Sequence, residues 1–383
     1  MDHDWIALSQ PDVGDREETL LLAALHAGEW SAAGLVEAFE ARFAEWVGRR
    51  HAVAVASGTL GLLATLQALG FDPGDEVVVP AYAWHHLAHA VTLAGLRPVA
   101  ADIDYWSGTL APARVAERIG PRTRAILAGN SNGHPAAWDS LRALAQAHGL
   151  VLLEDSSEAL GSTVGGVKVG CFGDVSVFDF AQPGALSCGE GGMVVTDDAH
   201  LAAEIRYRRA RRMRDRQSLS VGSRIPLRCD ISELTAAVGL AQLERVDAIL
   251  ARRRQVEAWY HEQMQSFEGI KPPYQAPEVE SVNWMLYVVH LGKRFTGSAR
   301  NQIVDDLEAS GIECAAYCAP LTMDFHYQQL GLRRGVLPNT DRIADRALAL
   351  PFHGGLGEDH VRFVVKTLKD ACTNVGAGAA IYL

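Results

Sequence analysis

Between residues 50 and 195 one pattern repeats: a short, largely apolar run, a polar or glycine-rich break, then a helical stretch. The runs are His51–Ala56, Glu76–Pro80, Arg97–Ala101, Arg124–Ala128 and Leu150–Leu153, and Thr59–Leu69 is the first helix, after the Ser57-Gly58 turn. Strands without in–out alternation are buried on both faces, as happens when helices cover both sides of a parallel sheet. Val175–Phe180 and Gly192–Val195 add two strands close enough together to pair antiparallel. The expected class is α/β with a mostly parallel sheet.

A chain of 383 residues is too long for one ordinary core. Residues 199–216 predict an arginine-dense helix, read as a solvated face or else as a subunit or anion contact. Ser232–Leu250 predicts another helix, continued through 251–266 into a second unit with a strand at Met285–His290 and helices at Ala299–Ser310 and Asp359–Cys372. The expected division is a large domain at 1–250, including the N-terminal segment, and a smaller α/β domain at 251–383.

The balance of 35 basic against 46 acidic residues, net −11, argues against nucleic acid as the main partner. No apolar run approaches the roughly 20 residues of a membrane helix. The first residues, MDHDWIALSQPDVGDREE, lack the apolar core of a secretory signal, and the six cysteines form no CxxC pair. A cytoplasmic protein with reduced thiols is expected.

Three features of the large domain suit a ligand. Ser57-Gly58-Thr59 lies between a strand and a helix N-terminus, where open N–H groups and the helix dipole favour a phosphate. Glu154-Asp155 ends a strand, placing a carboxylate at the sheet edge where α/β proteins bind ligands. Gly189-Glu-Gly-Gly192 is a tight turn into a strand. Each alone is common; their order is far more specific.

GDEVVVPAYAWHHLAHAV, RPVAADID, TRAILAGNSNGHPAAWDSL, LVLLEDSSEALGS, FGDVSVFDFAQPGALSCGEGGMVV, ISELTAAVGLAQLERVD and ALALPFHGGLGEDHV together resemble the sugar and cyclitol aminotransferases of the DegT/StrS family, fold-type I enzymes dependent on pyridoxal 5′-phosphate (PLP). The resemblance runs from about residue 15 to 372. It implies a large three-layer domain, a small C-terminal α/β domain, and a homodimer with its sites at the subunit interface. It also implies that Gly58 and Thr59 meet the cofactor phosphate, Trp84 stacks on the pyridine ring, and Asp155 keeps the ring nitrogen protonated. Glu158 falls where the family usually has Gln.

The same resemblance exposes departures. The family's Schiff-base lysine lies five residues before Gly-Glu-Gly-Gly, and here that position is Gly184. Glycine can neither form an imine nor shuttle a proton. The chain has only five lysines, at 168, 271, 293, 366 and 369. A family serine on the phosphate is here Asp179, and the asparagine that reaches the phosphate from the other subunit is here Arg228. The swap suggests an ion pair between Asp179 and Arg228 in place of the phosphate; the rival is that Arg228 binds a phosphate while Asp179 turns away.

His85 and His86 follow Trp84, and His89 lies one turn on, bringing groups that exchange protons near neutral pH. Packing at an interface is the plainer role for any one of them, and no metal site is expected because adjacent histidines point apart. Cys188 reads as a small buried thiol and His134 as a common family residue. His85, His86, Asp155 and Glu158 are therefore the candidate catalytic residues. Three functions follow. The first is a PLP-independent enzyme doing acid–base chemistry on a sugar, cyclitol or natural-product intermediate, with no cofactor. The second is a lysine-free enzyme holding PLP or pyridoxamine 5′-phosphate (PMP) non-covalently. The third is a silent partner in a heterodimer with an active paralogue.

Overall fold

The computed structural model describes residues 5–28, 30, 34–84, 86–209, 225–265, 267 and 269–380. Seven strands form the main sheet: β1 (His51–Val55), β2 (Glu76–Pro80), β3 (Arg97–Ala101), β4 (Thr123–Gly129), β5 (Val151–Asp155), β8 (Val175–Asp179) and β9 (Gly192–Thr196), in the order β1-β9-β8-β5-β4-β2-β3. Only β9 runs against the others, pairing antiparallel with both β8 and β1. The intervening β6 (Thr163–Val164) and β7 (Val167–Lys168) join β11 (Val279–Ser281) in a small separate sheet.

Both faces of the main sheet are covered. Val77, Val79, Leu153 and Val177 pack beneath helices Gly58–Leu69, His86–Leu93 and Ala199–Arg209. From the other face Val78, Ile126 and Leu152 meet helix Trp138–His148, while Ala54, Phe178 and Met193 meet Leu35–Val47 and the start of Glu233–Met264. Phe43 anchors that second layer, its ring 5.0 Å from Phe178 and 5.4 Å from Phe180. The three-layer α/β architecture is the one the apolar runs predict.

Helix Glu233–Met264 is a single element of 32 residues, capped by Ser232 Oγ on the Thr235 N–H. It passes through residue 250 without a break and carries Val256, Tyr260 and Met264 into a second core. That core lies on the antiparallel sheet β10-β12-β14-β13, where β10 is Ile270–Lys271, β12 Tyr287–Leu291, β13 Ala315–Ala316 and β14 Ala347–Leu350. Helices Gly297–Ala309 and Glu358–Ala380 cover it, and Ile6 bridges to Ile312, tying the N-terminal segment to this unit.

The arginine-dense helix departs from the expected solvated face. Arg206 donates to the Ala52 carbonyl at 2.8 Å, Arg208 to Gln67 at 2.7 Å and Arg209 to Ala54 at 2.9 Å, with Arg209 also on Glu40. These long side chains reach backbone acceptors that the strand and helix leave open, so their charge is spent inward. Residues 210–224 of that segment lie outside the described residues.

Candidate functional site

Strand register assembles the site. Gly192 pairs with both Val55 and Asp179, and Asp155 pairs with Val177, so the ends of β1, β8 and β5 meet at one sheet edge. A Cβ on Gly192 would lie 2.7 Å from the Gly58 nitrogen and 2.8 Å from the Phe178 carbonyl. Only glycine allows this approach, which explains why the Gly-Glu-Gly-Gly turn belongs with the Ser57-Gly58 turn.

At this edge opens a cleft of about 210 Å³ lined by Thr59, Trp84, His86, Glu158 and Asp179, with Gln182, Pro183 and Met285 among its other walls. Five residues chosen from the sequence thus meet in one place. Asp155 stands directly behind them, 3.4 Å from His86 Nε2. His85 lies outside the described residues. His89 faces away, 3.6 Å from Asp324 and stacked on Tyr327. Gly184 is not in the cleft wall, and Arg228 is exposed, in the left-handed conformation at φ +54°.

Two titratable groups in the cleft are shifted upward from their ordinary values. Burial would lower the His86 imidazole, but Asp155, followed by Asp179 and Glu158, outweighs it and raises His86 above the ordinary histidine value. The 3.4 Å contact is an ion pair without hydrogen-bond alignment, leaving Nε2 without a hydrogen-bond partner. Asp155 is oriented by Ser157, which donates its backbone N–H at 3.2 Å and its hydroxyl at 2.5 Å. Glu158 is 7 % exposed, and burial raises its carboxyl to about 7, against the pull of hydrogen bonds from Tyr317 and Asn132. Near neutral pH the cleft therefore offers an imidazole biased toward its cationic form and a carboxyl close to its midpoint.

The neighbouring candidates are structural. Glu154 is fully buried and accepts the N–H groups of Gly170, Phe172 and Gly173 at 2.6, 2.9 and 2.9 Å. His134 accepts the Ala276 N–H on Nε2 at 3.1 Å, so its Nδ1 donates to Pro135, and burial lowers its pKa. Burial pushes the Cys188 thiol up to about 12, far from a nucleophilic thiolate. Among the described residues no group of three or more metal-ligating side chains converges, and no helix is long and apolar enough to cross a membrane.

Whether a PLP-type cofactor fits can be tested at each end of the cleft. The ring end is present, with Trp84 41 % exposed at the cleft and Asp155 at the end of β5. The phosphate end is not. Asp179 Oδ2 accepts the Gly58 N–H at 2.7 Å and Oδ1 accepts Ala181 N–H at 2.8 Å, so a carboxylate holds the helix N-terminus. A phosphate at that distance would be repelled by several kcal/mol, on the order expected at an effective dielectric of about 20. Among the described residues no lysine lines the cleft; Lys168 donates to the Trp46 carbonyl at 2.5 Å and Lys369 to Gln263 at 2.7 Å. The residues present do not fit a covalently held phosphate cofactor.

Two site residues escaped the sequence reading. Tyr317, in Ala315-Ala-Tyr-Cys318, and the backbone of Asn132 hold Glu158, and neither position carries a spacing signal.

Comparison with known proteins gives a consistent result. A family model described as the DegT/DnrJ/EryC1/StrS aminotransferase family matches residues 11–369. The chain is 33 % identical over 365 residues to GDP-perosamine synthase of Caulobacter vibrioides, covering 95 % of this chain and 97 % of the relative. It is 32 % identical over 378 residues to the spore coat polysaccharide biosynthesis protein SpsC of Bacillus subtilis, with 96 % and 97 % covered. The solved structure of S. venezuelae DesV in complex with a ketimine intermediate superposes with a TM-score of 0.88 at 30 % identity, covering 97 % of this chain and 99 % of that one.

Proposed function

Because the chain belongs to the DegT/DnrJ/EryC1/StrS aminotransferase family but seats a carboxylate on its Gly58 helix and places no lysine in the cleft, we propose that it is a PLP-independent acid–base enzyme. The one observation that carries this reading is the Asp179 carboxylate on the Gly58 N–H. Its substrate is a sugar, cyclitol or natural-product intermediate, in keeping with the sugar chemistry in the names of its relatives. It works as a homodimer in the cytoplasm, in keeping with six free cysteines.

The substrate lies in the cleft between Trp84 and Glu158. His86, whose cationic form Asp155 favours, and Glu158 act as a pair. One gives a proton to a substrate atom as the other takes one from another, so that when Glu158 is the acid the neutral imidazole is the base. Two such groups with separate partners suffice for a dehydration, epimerisation, cyclisation or condensation. The ion pair with Asp155 restrains the imidazole, and Ser157 fixes Asp155 in turn.

A second reading is favoured by Trp84 and Asp155 at the ring end of the cleft: PLP or PMP held without a covalent link. A third, a silent partner of an active paralogue, predicts no turnover by the isolated protein. One experiment separates them. Purified protein is incubated with PLP, treated with borohydride and mapped, and Asp155→Asn, His85→Ala and His86→Ala are assayed. The proposal expects no pyridoxyl-lysine, a retained fold in each variant, and a loss of 10²- to 10⁴-fold in turnover in at least one. A pyridoxyl group on Lys168, or full activity in all three, overturns it.

A further inference from the structure

Glu158 is held from one side only. Its Oε2 accepts both the backbone N–H of Asn132 and the hydroxyl of Tyr317. Its Oε1 receives no hydrogen bond from a described residue and is not among the buried polar atoms left without a partner, so it keeps some open surface on a residue that lines the cleft. A neutral carboxyl has one O–H, and an oxygen already accepting two donors in its lone-pair directions has no room for it.

We propose that Tyr317 is a positioning residue that, with Asn132, confines the acid proton of Glu158 to Oε1, facing the substrate. This rests on the acid–base reading of the cleft. In the step it serves, the Oε1–H bond breaks as a new O–H bond forms on a substrate oxygen. The carboxylate left behind keeps both hydrogen bonds on Oε2, so its charge is met without any rearrangement.

The donors are themselves fixed. Tyr82 donates its hydroxyl to the Tyr317 carbonyl at 2.5 Å, with the two rings edge-on at 5.8 Å, and both residues are buried. Asn132 is anchored to the second unit, donating to the Leu286 carbonyl at 3.1 Å and accepting its N–H at 3.0 Å. Glu158 is thus clamped by segments of both units, a rigid shell of the kind precise proton transfer needs. The titratable groups around it are Asp155 and His86 on the cleft side, with Asp179 beyond His86, and Tyr82, Tyr317 and Cys318 behind. Burial raises the last three well above their ordinary values, so they stay neutral while Glu158 titrates.

The test uses full-length protein labelled with [δ-¹³C]glutamate, the Glu158 resonance being assigned with Glu158→Gln. Removing a donor from the charged form raises a carboxyl pKa, so Tyr317→Phe moves the titration midpoint up by about one pH unit. A midpoint that stays put or falls overturns the proposal. The wild-type protein supplies a second readout that no misfolded variant can spoil. In isotope-edited infrared spectra at low pH, the Glu158 C=O band lies at the low-frequency end expected of a carbonyl accepting two hydrogen bonds. A high-frequency, unbonded band places the proton on Oε2 and overturns the assignment. Neither measurement needs a substrate, so tight PLP binding would defeat the cofactor-free reading and leave this one standing.

Discussion

Asp179 Oδ2 accepts the backbone N–H of Gly58 at 2.7 Å, so the helix beginning at Gly58 is met by a carboxylate from the neighbouring end of β8. A helix N-terminus attracts anions because its first N–H groups are unpaired and its dipole is positive there. Asp179 supplies that anion from within the chain.

Replacing Asp179 with serine should reopen the seat. Titration calorimetry with inorganic phosphate and with PMP is expected to show at least tenfold tighter binding to Asp179→Ser than to the wild type. The variant should also lose about 1 kcal/mol of stability with the hydrogen bond to the Gly58 N–H, while Ser57 still caps the helix. Equal PMP affinity in the two proteins would mean that Asp179 does not exclude the phosphate.

Gly184→Lys addresses the missing amine. A Cβ at Gly184 meets the Ala181 and Leu186 carbonyls no closer than 3.4 Å, so a side chain is sterically admissible there. Alone, the substitution should not restore strong PLP binding, because Asp179 still holds the Gly58 N–H. Combined with Asp179→Ser it should bind PLP more tightly than either single variant, read by visible absorbance and borohydride fixation. Strong binding by Gly184→Lys alone would show that the lysine was the only missing part.

The fold was legible because its strands are apolar on both faces, a pattern that leaves few architectures besides a helix-covered parallel sheet. Trp84, His86, Asp155, Glu158 and Asp179 were legible because each sits at or just beyond a strand end, where register brings them together. Tyr317 and Asn132 were not. They act through a hydroxyl and a backbone N–H aimed by tertiary packing between the two units, and no local pattern encodes that aim. The inward turn of Arg206, Arg208 and Arg209 was hidden for the same reason, since their acceptors are carbonyls of distant segments.

Glu158 makes stability depend on pH in a defined direction. Burial pushes its carboxyl up to about 7 in the fold from the ordinary 4.5, so its contribution is complete below pH 4.5 and is lost as pH rises through 7. The difference corresponds to roughly 3 kcal/mol. Glu158→Gln, which keeps an acceptor for Tyr317 and Asn132, should be more stable than wild type at pH 8 and lose that advantage by pH 4.5. Thermal unfolding across this range is the measurement, and a pH-independent difference would count against a buried, ionising carboxyl.

His86 should respond to its partner. Asp155→Asn removes the main group that raises the imidazole and leaves burial, which lowers it. The C2–H resonance of His86 is then expected to titrate at lower pH than in the wild type. An unchanged midpoint would mean that the 3.4 Å contact does not govern its charge.

The last expectation concerns Arg228, exposed in the single chain and held at φ +54°, where a residue with a Cβ is strained by about 1–2 kcal/mol. Strain of this kind persists where surrounding structure requires it. In the homodimer Arg228 of one subunit should lie within ion-pair reach of Asp179 of the other, with no phosphate between them. Removing one partner of a buried pair costs on the order of 3–5 kcal/mol, because the other charge is left uncompensated. Asp179→Ser and Arg228→Asn should therefore each weaken the dimer, and the double variant should be closer to wild type than the two single losses add up to. Sedimentation equilibrium on the four proteins measures the coupling. Strictly additive losses would show that the two residues do not face each other. Phosphate density between Gly58, Thr59 and Arg228 in a crystal soaked with PMP would transfer the case to the lysine-free cofactor enzyme.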